Sequence, residues 1–142
     1  MAFKDIKDLL PHREPFLYVD KLDEVSDDRI VGTRKYTDDD YFFQGHFPGY
    51  PVVPGVILVE SMAQCGGAGV AQSGILEDKL FFLATVDKVK FRRQVVPGDE
   101  VRFEVENVRV DARGLRQQGK AYVGDEVAAE ASWLCLMGSK EA

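Results

Sequence analysis

Only two cysteines and two histidines occur in this 142-residue chain, and neither pair has the spacing of a metal-binding motif. A disulfide framework or a structural metal therefore has no support in the sequence. Cys65 and Cys135, both among apolar neighbours, read as reduced core thiols to which no chemistry is assigned. No stretch approaches the ~20 apolar residues of a membrane span, and the opening MAFKDIKDLLPHRE carries charges through its short apolar part. Cytoplasm is the expected compartment. Basic residues are outnumbered, 18 Lys or Arg against 24 Asp or Glu, so the net charge of −6 argues against a nucleic-acid surface. Internal repeats, low-complexity tracts and a phosphate-binding Gly loop between a strand and a helix are also lacking.

What is present suits an ordinary globule. The chain is 45% hydrophobic and 30% charged, and its length favours one domain over residues 1–142, large enough to bury roughly two-thirds of its unfolded surface. Charge is uneven. From Val86 to Lys120 nine Lys or Arg stand against six Asp or Glu, a local +3 that leaves −9 for the remainder. A basic island in an acidic chain suits an acidic partner.

Proline and glycine punctuate the chain into elements. A short helix is expected over Asp5 to Leu10, a strand over Phe16 to Val25, and a partner strand over Arg29 to Tyr36 after the turn Ser26 to Asp28. The stretch Asp38 to Pro54, with three Pro, two Gly and five aromatics, is too irregular for a strand and too apolar for a linker. It reads as a packed, structured loop. From Gly55 to Ser73 the run GVILVESMAQCGGAGVAQS lacks proline and is apolar nearly all round, as in a buried helix. Strands follow at Leu80 to Phe91, Val101 to Val110, Leu115 to Val123 and Glu126 to Met137, with Pro97-Gly98-Asp99, Arg113-Gly114 and Gly124-Asp125 as turn residues. Five or six antiparallel strands with one hydrophobic helix between the second and third bury that helix by curling around it. This α+β arrangement is the hot-dog fold.

Glu60 interrupts an apolar helix, and a buried carboxylate is costly unless paired or neutralised. Either it carries chemistry, or it reaches solvent or an Arg. Gln64, one turn on, lies on the same face and can orient Glu60, or it is simply a satisfied core amide. His46, in Gln44-Gly45-His46-Phe47-Pro48, sits in a loop able to hold an imidazole rigidly, although a lone loop His is commonly structural. Pro54-Gly55 opens the helix, where the first N–H groups have no intrahelical partners; Gly55 suits an oxyanion contact, or only eases entry into the helix. Gly66, Gly67 and Gly69 cost helix stability and point to close packing against a strand or a second subunit. Lys88, Lys90 and Arg92 alternate along one strand face with Arg93 adjacent, as a docking stripe or a solvated face. His12, in LLPHREPF, is explained by capping or packing.

The segment FFQGHFPGYPVVPGVILVESMAQ, residues 42–64, resembles the signature of the 3-hydroxyacyl-[acyl carrier protein] dehydratases of the FabZ type. LLPHREPFLYVD at residues 9–20 and DKVKFRRQVVPGDEV at residues 87–101 resemble the same family, so the similarity spans nearly the whole chain. The resemblance implies a hot-dog subunit that forms homodimers, commonly three to a hexamer, with His46 of one protomer facing Glu60 of the other. It also implies His46 as base, Glu60 as proton donor, the Gly55 N–H on the thioester carbonyl, and no cofactor. The implied partner is acyl carrier protein with its 3-hydroxyacyl-phosphopantetheine arm, for which Lys88, Lys90, Arg92 and Arg93 are candidate docking residues.

Departures from the family pattern are Val53 in place of Met, Ser61 in place of Ala, and the CGGAG run at residues 65–69. None removes a catalytic group. The related dehydratase-isomerase type has Asp at the position of Glu60, so Glu60 favours dehydration alone. The competing readings are a hot-dog acyl thioesterase, which lacks the Gly-His-Phe-Pro loop, and a non-catalytic acyl-binding module.

Overall fold

A computed structural model describes residues 2–75 and 80–138. Its central feature is the hydrophobic helix α2, Gly55–Gln72, whose residues are buried from Ser61 through Ala71 without a break. No amphipathic stripe survives because the helix touches every strand of the sheet. A short helix α1, Ile6–Leu9, capped by the Asp5 side chain on the Lys7 N–H, buries Ile6 and Leu9 beside α2.

Six strands surround the helix: β1 (Lys21–Val25), β2 (Arg29–Lys35), β3 (Leu80–Phe91), β4 (Glu100–Asp111), β5 (Gly114–Val123) and β6 (Glu126–Gly138). All neighbours are antiparallel, in the order β1-β2-β4-β5-β6-β3. The helix thus separates β2 from β3 in sequence, while β3 closes the far edge beside β6. This is the curled sheet around one long helix of the hot-dog fold. Leu115 and Trp133 from the sheet and Met62 from the helix are wholly buried. Each such side chain contributes roughly 1.5–3 kcal/mol by leaving water.

The glycines of α2 have a packing cause. A Cβ on Gly66 would lie 2.2 Å from Oε1 of Gln117, and one on Gly69 2.5 Å from Ile30. Gln117, itself buried, accepts from the Trp133 indole at 3.0 Å and donates to Asn107 at 2.8 Å. The helix therefore lies against β2 and β5 at a separation only glycine permits.

Two expectations change. The first strand starts at Lys21 rather than Phe16, because Leu17, Tyr18 and Val19 are all buried and the Tyr18 N–H is taken by the Gln64 side chain instead of a ladder. The regular alternation expected for Lys88, Lys90 and Arg92 is broken by a bulge between Asp87 and Lys90, with Lys88 at φ 54°, and β3 ends at Phe91. Residues 38–54 form a packed loop as expected, with a 3-10 turn at Tyr41–Gln44 that buries Phe42 and Phe43.

Candidate active site

The loop that carries His46 is fixed at three places. At its start, Asp40 accepts the Thr37 N–H at 3.0 Å and pairs with Arg34. The Arg34 guanidinium, mostly buried, also bonds Asp20 at 3.2 Å and lies near the rings of Tyr18 and Tyr36. In the middle, Phe47 and Tyr50 exchange backbone hydrogen bonds of 2.9 and 2.8 Å around Gly49, at φ 76°. At its end, the Val53 N–H donates to Val95 at 2.8 Å. Arg34 escaped the sequence reading; its only signal is an Arg on a strand with buried Ile30, Val31 and Gly32 and with aspartates near it in the chain.

Within this frame the imidazole of His46 meets the Val52 carbonyl at 2.8 Å through Nδ1, and the Val52 N–H returns a bond of 2.9 Å to the His46 carbonyl. A carbonyl only accepts, so Nδ1 bears a proton and donates it there. The ring also stacks on Phe47, centroids 4.0 Å apart. The ring of His46 is thus held in one orientation, with Nε2 as the nitrogen left free of the protein backbone.

Gly55 follows directly. Pro54, at the helix start, has its carbonyl bonded by Ile57 and Leu58 N–H, and the Gly55 and Val56 N–H groups have no partner among the described residues. The Phe91 ring stands where a Gly55 Cβ would be, 2.7 Å away; that ring is 54% exposed. Glycine keeps the helix start open beneath it.

Glu60 lies five residues further on, a rise of about 7.5 Å and a turn of roughly 140° on an ideal helix. It faces a narrow cleft lined by Leu10, His12, Ala63, Gln64, Phe81 and Cys135. Burial raises its pKa, only partly opposed by the Gln64 Nε2 donor on Oε2 at 2.9 Å. That amide is locked: its Nε2 also donates to Phe16 O at 3.0 Å, and its Oε1 accepts the Tyr18 N–H at 2.8 Å. Gln64 is therefore a fixed donor to the Glu60 carboxyl. The neighbouring Cys135 thiol is pushed up to about 12 by burial and by the Glu60 charge. His12, for which capping or packing is the favoured expectation over a catalytic role, stands with Nε2 3.8 Å from Glu60 Oε2.

Among the described residues His46 and Glu60 share no hydrogen bond or ion pair, and His46 does not line the Glu60 cleft. The four candidate docking cations also separate. Arg92 bonds Glu130 at 3.0 Å, and Arg93 bonds Asp99 at 3.2 Å and lies 3.5 Å from Glu126. Lys88 and Lys90 have no ion-pair partner among the described residues; Lys88 lines an open groove on the sheet's outer face together with Arg29, Lys120 and three glutamates.

Comparison with known proteins gives a consistent result. The FabA-like domain family matches residues 10–132. The 3-hydroxyacyl-[acyl-carrier-protein] dehydratase FabZ of Pelotomaculum thermopropionicum is 48% identical over 132 residues, 92% of this chain and 94% of that one. That of Moorella thermoacetica is 41% identical over 141 residues, covering 99% of both. Among solved structures, the dehydratase heterocomplex ApeI:P of Xenorhabdus doucetiae superposes with a TM-score of 0.85 at 16% identity, covering 98% of this chain and 94% of that one. A hypothetical thioesterase from Streptococcus pneumoniae gives 0.63 at 11% identity, covering 86% and 88%. At those identities the structures speak for the fold alone; with the close sequence relatives, the chain belongs to the FabA-like family, among the FabZ 3-hydroxyacyl-[acyl-carrier-protein] dehydratases.

Proposed function

We infer that this protein is a hydro-lyase of fatty acid biosynthesis, converting (3R)-3-hydroxyacyl-[acyl carrier protein] to trans-2-enoyl-[acyl carrier protein] and water. The observation that carries this reading is a carboxyl group kept toward its protonated form by burial on α2, in a chain 48% identical to a FabZ dehydratase. His46 Nε2 takes the proton from the carbon beside the thioester carbonyl. The C2–C3 double bond forms as the C3–O bond breaks, and Glu60 delivers its proton to the leaving hydroxyl, which departs as water. The Gly55 N–H donates to the thioester oxygen as charge develops there. Afterwards the proton on His46 returns through water to Glu60, so the cycle closes without a cofactor.

In this reading the acid and base that serve one substrate come from two protomers. It is supported by the missing His46–Glu60 contact within a chain and by β3, exposed along most of its twelve residues at the sheet edge. A long open edge carrying Phe82, Leu83 and Phe91 is a surface that pairs with another copy. Three such dimers to a hexamer, a single functional unit over residues 1–142, and a cytoplasmic site of action belong to the same reading. Acyl carrier protein is the partner, with Lys88 and Lys90 as its free cationic contacts and Arg92 and Arg93 contributing less, since both are engaged.

The test is to mix the protein with a 2-enoyl thioester and follow loss of enoyl absorbance and appearance of free thiol together. Hydration without thiol release is expected. Thiol release without hydration would instead make the protein a thioesterase, and binding with neither would make it an acyl-binding module.

A further inference from the structure

We propose that His12 is a positioning residue for Glu60: its Nε2–H faces Oε2 from beyond hydrogen-bond length, the oxygen that Gln64 already holds, so that its dipole favours the charged carboxylate and the transferable proton resides on Oε1. The proposal rests on the reading of Glu60 as proton donor given above.

Four observations lead there. The segment after α1 brings His12 Nε2 to 3.8 Å from Glu60 Oε2, on the same oxygen that Gln64 Nε2 contacts at 2.9 Å. Among the described residues no donor reaches Oε1. The His12 ring lies nearly parallel to Phe16 at 20° with centroids 6.4 Å apart, and the side chains of His12 and Glu60 are each 22% exposed. Finally, His12 Nδ1 is buried and has no hydrogen-bond partner.

That last atom decides the tautomer. A proton on Nδ1 would bury an unpaired N–H, which proteins avoid more strictly than an unpaired acceptor. A doubly protonated ring would bury the same N–H with a charge, in keeping with the direction in which burial moves this imidazole, downward. The remaining form is neutral with its proton on Nε2, directed at Glu60. The other groups around the pair are neutral and do not compete: the Tyr18 phenol and Cys135 thiol are both pushed up by burial. Arg13, next in the chain, turns away to the carbonyls of Lys7, Leu10 and His12.

The chemical consequence concerns the moment after proton transfer. Glu60 then carries a negative charge in an apolar cleft, and the Gln64 hydrogen bond together with the Nε2–H dipole of His12 facing Oε2 stabilises it more than the neutral acid. His12 therefore makes Glu60 a better proton donor without touching substrate. Its loss lowers kcat and leaves KM in place.

Three variants separate this role from packing. Gln places an amide nitrogen where histidine has Nε2, Asn places one nearer the Nδ1 side, and Phe keeps a ring with no donor. With wild type and Glu60→Gln measured alongside on a 3-hydroxyacyl thioester, His12→Phe and His12→Asn should each lose about tenfold or more in kcat with KM within about threefold, and His12→Gln should recover most of that loss. Wild-type kcat in His12→Asn or His12→Phe overturns the proposal. So does a His12→Gln variant as impaired as His12→Phe, which would make the ring's packing the cause. A wild type that does not turn over, or a fully active Glu60→Gln, defeats the underlying reading of Glu60 and the proposal with it, an outcome distinct from failure at His12 alone.

Discussion

His46 and Glu60 are held in opposite ways. His46 is fixed by backbone: a carbonyl on Nδ1, paired main-chain bonds at Val52, and a loop tied at Asp40, Tyr50 and Val53. Glu60 is fixed by side chains in a cleft walled by Leu10, Phe81 and Cys135. Backbone contacts choose which nitrogen is bound and which faces outward. Apolar walls decide whether a carboxyl keeps its proton. In the reading proposed above, a base needs a fixed ring and an acid needs a retained proton, and the surroundings of His46 and Glu60 suit those two requirements.

The sharpest way to break this comparison is to remove each group. His46→Ala and Glu60→Gln should each lower kcat for enoyl thioester hydration by about 10²–10⁴-fold, the usual yield of a positioned acid or base. A loss from one variant only would mean that the other group is structural. Next in size is a control on α2. Ser61 neighbours Glu60 in sequence, but its hydroxyl bonds the fully buried Tyr36 phenol at 2.7 Å and Ile57 O at 2.7 Å. Ser61→Ala should cost about 1–3 kcal/mol in denaturant unfolding, by leaving that phenol unpaired, and should spare kcat. Loss of kcat in the folded variant would extend the site onto the sheet-facing side of the helix.

The apolar walls around Glu60 also have a signature in pH. Burial raises its folded-state pKa above the unfolded value, so its contribution to stability is fully present below the unfolded pKa of 4.5 and is lost as pH rises through the raised folded value. Glu60→Gln, which is neutral throughout, should therefore gain stability relative to wild type between acid and neutral pH at fixed protein concentration. A constant difference across that range would mean that Glu60 titrates as a solvated carboxylate. The smallest expected effect is at the carrier surface. Reversing the charge of Lys88 and Lys90 together should raise KM for a carrier-bound substrate several-fold, more at low salt, and leave KM for a small thioester unchanged. Equal effects on both substrates would point to a change in the fold of β3.

Most of the architecture was legible in the sequence, because the proline-free and largely apolar run after Pro54 reads as a buried helix and Gly98 and Gly124, at φ 96° and 59°, stand where turns demand them. β3 and the start of α2 fall where expected. Alternation misled where tertiary contacts took over the backbone. Tyr18 gives its N–H to Gln64 rather than to a strand, and the bulge at Lys88 shifts the row of basic residues out of step. Glu60 and Gln64 announced themselves as polar residues on an apolar helix. His12 did not, because its closeness to Glu60 arises only when the segment after α1 folds across α2, a contact between residues 48 positions apart. Arg34 was hidden for the same reason, since its role is to join Asp20 to Asp40 across the loop base.

The claim on which the account turns is that one protomer's His46 works with the other's Glu60. It is tested by mixing His46→Ala and Glu60→Gln subunits under conditions of subunit exchange and measuring enoyl thioester hydration. Half of the randomly reassorted dimers are mixed and each holds one intact site, so recovery of about a quarter of wild-type activity is expected from two inactive parents. No recovery, with mixed dimers demonstrated by mass spectrometry, would show that His46 and Glu60 act within one chain and would contradict the account.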